Sequence, residues 1–305
     1  MKTLPYIFLL SFIIAAVQIN GQTRYFDERY IYTQAILNPQ LINSGAFGAN
    51  MKHQIMLNYR NKWAGLSGTP TTTTLSYNGP VAQRLGMGIN VLRDNFGLLE
   101  TTKAMAGFSY TIKSEVNQIG FGISGEYIKH GLSAITDPDV VSDPKVVAAL
   151  SGAEFFDASF GVYGIYMNKI SYGLSFPSLV SSRINDALNE GSSDRKLGFI
   201  FHAGYELKAS NANVVLRPSF ILKKLANVPT HLDLNLNASF LDDKLIGGVS
   251  YTLGADNRLG FLLGTNIDKY NFYYSYNTSS NPLQDYNNGS HEITLGVTFG
   301  GEMKK

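Results

Sequence analysis

The chain of 305 residues contains no cysteine. That excludes a disulfide framework, a thiolate metal site and a lipid anchor attached through sulfur. Tryptophan is almost missing, with Trp63 the one copy. Charge of either sign is sparse: 25 Lys and Arg stand against 23 Asp and Glu, a formal net charge of +2. Such balance gives no electrostatic footing for nucleic acid or an acidic partner. Beyond the first residues there is no apolar run near the ~20 residues that a spanning helix needs. The histidines, 5 in all, are scattered and form no HxxxH or HExxH pair. No GxSxG nucleophile motif occurs. These absences argue against an enzyme and leave no cofactor or metal expected.

What is present is patterned. Residues 1–21, MKTLPYIFLLSFIIAAVQING, carry Lys2, a mostly apolar stretch over Tyr6–Val17 and a small residue, Gly21, near a cleavage point. This reads as a secretory signal peptide. Further on, His231–Phe240 reads HLDLNLNASF. Leu232, Leu234, Leu236, Ala238 and Phe240 fall on one side; Asp233, Asn235, Asn237 and Ser239 fall on the other. Side chains alternate across a strand, so this segment has one oily and one wet face. Ile293, Leu295, Val297 and Phe299 repeat the pattern near the end of the chain, and Ile170, Tyr172, Leu174 and Phe176 repeat it again.

From His53 onward about fourteen such segments can be drawn, ending with His291–Phe299. Short, turn-like connections alternate with longer ones. Ser114–Asn117, Leu241–Asp243 and Asp268–Lys269 are short, whereas Asn61–Gly68, Gly131–Phe155 and Ser178–Arg195 are long. Short periplasmic turns and long outer loops are the mark of an outer-membrane barrel, and Tyr and Phe, 18 each, suit its aromatic girdles. A soluble β-sandwich would not need that alternation. Two connections break it: Gly254–Asn257 is tight for an outer loop and Pro80–Arg84 long for a periplasmic turn. Pro218 falls inside the ninth segment, where a closed barrel has no edge to excuse a missing N–H. A bulge there, or a later strand start, is expected. The fold class is therefore all-β, a closed antiparallel transmembrane β-barrel of about 14 strands. Its domains are the signal peptide at 1–21, a plug or periplasmic segment at 22–50 and the barrel at 51–305. The 22–50 stretch alternates poorly and carries Asn38-Pro39, so short helix and loop are expected there.

Three motifs invite chemistry. Gly120-Phe-Gly122-Ile-Ser-Gly125 matches GxGxxG, but it lies within an alternating strand with no helix to follow. Small residues relieving crowding in the wall or lumen fit better. Asp137–Asp143 (DPDVVSD) lacks the glycine and terminal Glu of a calcium loop and reads as solvated. Tyr59–Leu66 (YRNKWAGL) joins the sole Trp to two cations at the first outer loop. Trp and Arg are favoured contact anchors. A place in the interfacial girdle, with Arg60 and Lys62 near lipid headgroups, fits them equally well.

The order of several motifs resembles one family. Asn38-Pro39 is followed by YRNKWAGLSGTPTTTTLSYNGP (Tyr59–Pro80), Asp94-Asn95-Phe96-Gly97, Phe160-Gly161-Val162-Tyr163, Gly173–Pro177, Arg217-Pro218-Ser219 and Gly289–Ile293. This resembles the PorP/SprF family of the type IX secretion system. The family's usual small residues after Asn-Pro are here Gln40 and Leu41, and its acidic residue before Gly-Pro is Asn78. The resemblance implies an outer-membrane protein that helps export or retain surface proteins, in some members a gliding adhesin. The partners it implies are the C-terminal region of a secreted protein and periplasmic secretion components, besides outer-membrane lipid. On this reading Arg60, Lys62, Trp63 and Asp94 are candidates for partner binding, and Arg217, His291 and Glu292 for a network inside the lumen. Competing functions are a diffusion channel or hydrophobic-compound transporter, which Asn, Ser, Thr and Gly in a wet lumen would suit, and a passive anchor for the periplasmic ring.

Overall fold

A computed structural model describes residues 32–132, 152–180, 182–183, 197–208, 213–225, 229–254, 257–280 and 282–300. The signal peptide read over 1–21, residues 22–31 and the acidic stretch at 137–143 lie outside the described residues.

Fourteen strands build the wall. They are β1 (His53–Asn61), β2 (Thr71–Ala82), β3 (Leu85–Phe96), β4 (Leu99–Lys113), β5 (Asn117–Leu132), β6 (Ala153–Tyr166) and β7 (Ile170–Phe176). There follow β8 (Phe199–Tyr205, continued by Leu207–Lys208), β9 (Val214–Lys224), β10 (His231–Phe240), β11 (Leu245–Leu253), β12 (Arg258–Ile267), β13 (Tyr270–Ser279) and β14 (Ser290–Phe299). Each pairs antiparallel with the next. β14 pairs back onto β1, from His53 opposite Phe299 to Asn61 opposite His291, so no edge remains. Among the described residues no helix is long and apolar enough to cross a membrane.

The alternation read from sequence is the wall's inside and outside. On β4, Thr101, Lys103, Met105, Ser109 and Thr111 are buried facing the lumen; Phe108, Tyr110 and Ile112 stand exposed outside. On β10, Leu234 and Leu236 are 45% and 46% exposed, whereas Asp233 and Ser239 are buried. An exposed band of Leu, Ile, Phe and Tyr running round a closed cylinder is what acyl chains cover.

Two expectations change. The Pro80–Arg84 connection is not long: β2 runs on to Ala82 through a register shift after Pro80, leaving a two-residue turn before Leu85. The shift absorbs the proline and restores a short turn. At Pro218 there is neither bulge nor late start. β9 pairs with β10 without interruption, Pro218 opposite Leu236. On its other side the register is unshifted, but pairing stops at Ser219 opposite Gly204 and resumes at Leu216 opposite Leu207. A missing proline N–H thus costs one stretch of ladder, and the Arg217 guanidinium crosses the same place to Glu206 at 3.1 Å.

At the end where β1 begins and β14 ends, tight turns take left-handed backbone at Met167, Asn168, Leu241, Asp242, Asp243 and Asp268, with φ between 51° and 65°. Such turns match the twist of paired strands. With the short turns gathered there, that end faces the periplasm.

Candidate functional site

The lumen is filled by the chain itself. Tyr32–Ala49 runs down inside the barrel as turns and two short 3₁₀ segments, Pro39–Leu41 and Ser44–Ala46. Gln34, Ala35, Asn38 and Phe47 are at most 2% exposed. The segment's turns close on themselves through backbone hydrogen bonds such as Leu37 N–H to Gln34 and Asn43 N–H to Pro39, and many of the polar groups left over are met by the wall. The Gln34 amide donates to Ser275 at 3.0 Å, Asn43 to the Val162 carbonyl at 2.9 Å and the Gly48 N–H to Asn78 at 2.8 Å. In the other direction Ser109 donates to the Phe47 carbonyl, Ser175 to Ile42 and Gln118 to Ala49.

Apolar contacts do the rest. Leu92, Ile200, Ile221 and Leu225 point inward, against the polar-in rule, and pack with Tyr32, Ala35, Leu41 and Ile42. Leu37 packs against Ile246, Leu262 and Tyr273. Lower down, glycines take the place of side chains on the inner wall. A Cβ at Gly122 would strike Ser44, at Gly120 the Gly45 carbonyl, at Gly161 the Asn43 side chain, and at Gly86 or Gly88 Phe47. The GxGxxG match is therefore part of a cradle for Asn43–Phe47.

In the outer half, a row of charge meets the start of this strap. Arg60 lies directly opposite Glu292 on one side and Thr72 on the other, and Thr72 opposes Asp94. The Thr72 hydroxyl donates to Asp94 at 2.6 Å. Glu292, with no exposed surface, accepts from Asn58 at 3.0 Å and from the Thr33 backbone N–H at 2.9 Å. Tyr32 donates to or accepts from Thr74 at 3.1 Å, within the field of Arg60, Glu292 and Asp94. Around the same half run two buried ion pairs, Lys103–Glu126 at 3.3 Å and Lys223–Asp233 at 2.7 Å. Desolvated pairs of this kind fix arrangement more than they add stability.

Of the seven residues singled out from sequence, Arg60, Asp94 and Glu292 come together in this belt. Lys62 and Trp63 sit just above it at the rim. Lys62 is buried with its ammonium 4.4 Å from the Trp63 ring centre, and Trp63 meets Phe96 edge-on at 6.4 Å. Trp63 takes φ 57°, and its loop is tied to the next outer loop by Ala64 N–H to Gly289 and Asn288 N–H to Ala64.

The lumen trio does not assemble. His291 lies on the outer face, 2.8 Å from the Tyr274 hydroxyl and packed on Tyr276, because alternation sends it opposite to Glu292. Arg217 faces inward, but at the periplasmic end. There it reaches Glu206, Ser239 and Asp243, the last at 2.9 Å. Asp243, in the turn before β11, feels burial that raises its pKa. The Arg217 hydrogen bond and charge outweigh it and hold the carboxyl below its ordinary range. Thr33, Gln34 and Asn43 were missed from sequence, as were Gly86, Gly88 and Gly161; of the cradle only Gly120 and Gly122 were read as relieving crowding in the wall or lumen. Glycine at successive inward positions, Gly120-x-Gly122 beside Gly86-x-Gly88, was the signal.

Among the described residues no group of three or more His, Asp or Glu is placed to hold a metal. A closed fourteen-strand cylinder, oily outside and filled within, defines an outer-membrane β-barrel protein. The match of a family model over residues 26–297 takes this further: the chain belongs to the PorP/SprF family of type IX secretion system membrane proteins. It is an outer-membrane component of that system. No curated protein sequence matches the chain. Solved structures of similar outline include the Acinetobacter baumannii outer membrane protein Omp33, at 8% identity and TM-score 0.47, covering 82% of this chain and 99% of that one. The monoaromatic hydrocarbon channel CymD is 13% identical at TM-score 0.49, covering 91% and 94%. A TodX monoaromatic hydrocarbon channel variant is 9% identical at TM-score 0.49, covering 93% and 96%.

Proposed function

We propose that this protein acts by binding, without catalysis, and that its ligands are the C-terminal region of an exported surface protein at the outer rim and the secretion machinery at the periplasmic turns. A gliding adhesin is the kind of cargo the family suggests. One observation carries the reading: Tyr32–Ala49 occupies the lumen and is packed there with most of its residues buried. A barrel filled this way works through its ends. The same observation weighs against a standing aqueous pore, and against the strap itself as the anchor for a periplasmic ring. The rim supplies Trp63 edge-on to the exposed Phe96, with the buried Lys62 ammonium against the Trp63 ring, an aromatic surface backed by a cation.

Replacing Trp63 and Phe96 with Ala tests it. Surface delivery of a cognate cargo should fall severalfold, with the barrel still at its normal level in the outer membrane. Unchanged delivery removes the rim from the binding site. Purified protein in planar bilayers should show no steady conductance; a stable open channel would favour the transport reading instead.

A further inference from the structure

On the membrane side of β7 to β12 the wall carries a groove of about 660 Å³. It follows from register. Outward residues two apart along each strand form two parallel rows across the sheet. One bank is Tyr205, Pro218, Leu236 and Val249, the other Ala203, Phe220, Leu234 and Tyr251. Between them the inward residues Gly204, Ser219, Asn235 and Ser250 present only backbone, as a floor. Every sheet has such rows. Here the Ala203 methyl and the compact Pro218 ring lower the banks where the ladder is already interrupted, and the furrow deepens.

The groove runs from Ile170 on β7 to Leu259 on β12. Five inter-strand steps of ~4.8 Å make it about 24 Å long. One leaflet of a ~30 Å hydrocarbon core is about 15 Å deep, so the furrow accommodates a whole acyl chain laid obliquely. A peptide does not suit it. The floor's backbone groups already pair between β9, β10 and β11, and a bound backbone would find no partners in an apolar trough. A hydrocarbon chain needs none. At the periplasmic end the groove opens beside Lys169, exposed in the turn before Ile170; Lys208, at the end of β8, lies on the other face of the wall and pairs with Glu206 at 3.5 Å. A cation at that level suits a phosphate headgroup.

We propose that this groove is a binding site for one acyl chain of a phospholipid from the periplasmic leaflet, its phosphate lying near Lys169. Native mass spectrometry of the full chain, extracted in mild detergent and exchanged, tests this. The wild type should retain one phospholipid per chain. Ala203→Phe, which fills the furrow, should lower the retained fraction at least tenfold, while Val91→Phe on the far wall leaves it unchanged. Lys169→Gln should reduce retention of phosphatidylglycerol more than that of phosphatidylcholine. If Ala203→Phe does not fold, Phe220→Ala with Tyr251→Ala removes one bank and should give the same loss. No retained lipid, or equal retention in these variants, overturns the site. Lipopolysaccharide retained in place of phospholipid overturns the leaflet. A dimer that Ala203→Phe dissolves overturns the lipid in favour of a second copy of the chain.

Discussion

Glu292 is the point at which the strap is latched, and its loss has a calculable effect. The carboxylate is fully buried, accepts hydrogen bonds from Thr33 N–H and Asn58, and stands opposite Arg60. A hydrogen bond to a charged group contributes about 1.5–3 kcal/mol. Of the two, only the Thr33 bond joins strap to wall. Glu292→Ala also leaves Arg60 without its facing charge, so about 3 kcal/mol for release of the upper strap is a fair figure. At 1.4 kcal/mol per tenfold, opening becomes more frequent by a little over a hundredfold. Hydrogen exchange reads this directly. Amides over Thr33–Leu37 should lose protection by about two orders of magnitude. Those over Asn43–Ala49, held by the glycine cradle and by Gly48 N–H to Asn78, should change little. Glu292→Gln keeps the shape and one acceptor and should fall between. Equal exchange in wild type and Glu292→Ala would refute the latch. Uniform loss along the whole strap would refute the division into two halves.

Other outcomes follow from the same geometry. Gly122→Val drives a branched side chain into Ser44 and should destabilise the folded barrel by about 1–3 kcal/mol, seen as a lower denaturant midpoint. Leu236→Arg, on the lipid face, should cost about 2–4 kcal/mol in refolding titrations into vesicles if it sits near mid-membrane. Arg217→Lys cannot reproduce the forked contact with Glu206 and Asp243 and should loosen the periplasmic end nearly as much as Arg217→Ala, measured by protease cleavage in the turn before β11. Asp243 has a depressed folded pKa, so its contribution is present above its unfolded value near pH 4 and is lost as pH falls through the folded one. Asp243→Asn should abolish that acid-side decline in stability.

Most of the wall was legible because its two faces demand opposite residues at a period of two, and nothing else in the chain competes with that signal. His231–Phe240 was readable residue by residue, and so was its partner face. Ends were readable to a residue or two wherever a turn residue stopped the pattern, as at Asp268. The interior was much less legible. Inward positions of this barrel are occupied by whatever fits the strap, so Leu92, Ile221 and Gly122 follow no common chemistry. His291 and Glu292 show the limit of reading motifs as blocks: neighbours in a strand look in opposite directions, and only one of the two reaches the lumen. Arg60 and Asp94 were readable as functional types but not as belt members, since their meeting with Glu292 depends on the seam between the first and last strands.

That seam orders the way this molecule is completed. The seat for Asn43–Phe47 is supplied largely by β3 to β6, among the first half of the strands, whereas the groups that seize Thr33 and Gln34 arrive on β13 and β14. Until the last hairpin zips onto β1, the upper strap keeps its contacts with Thr74, Leu92 and Ile221 but lacks its latch. A cylinder sealed without its filling would bury Glu292 without the Thr33 N–H that donates to it, so closing the seam and seating the strap favour one another, and an empty shell is the disfavoured product.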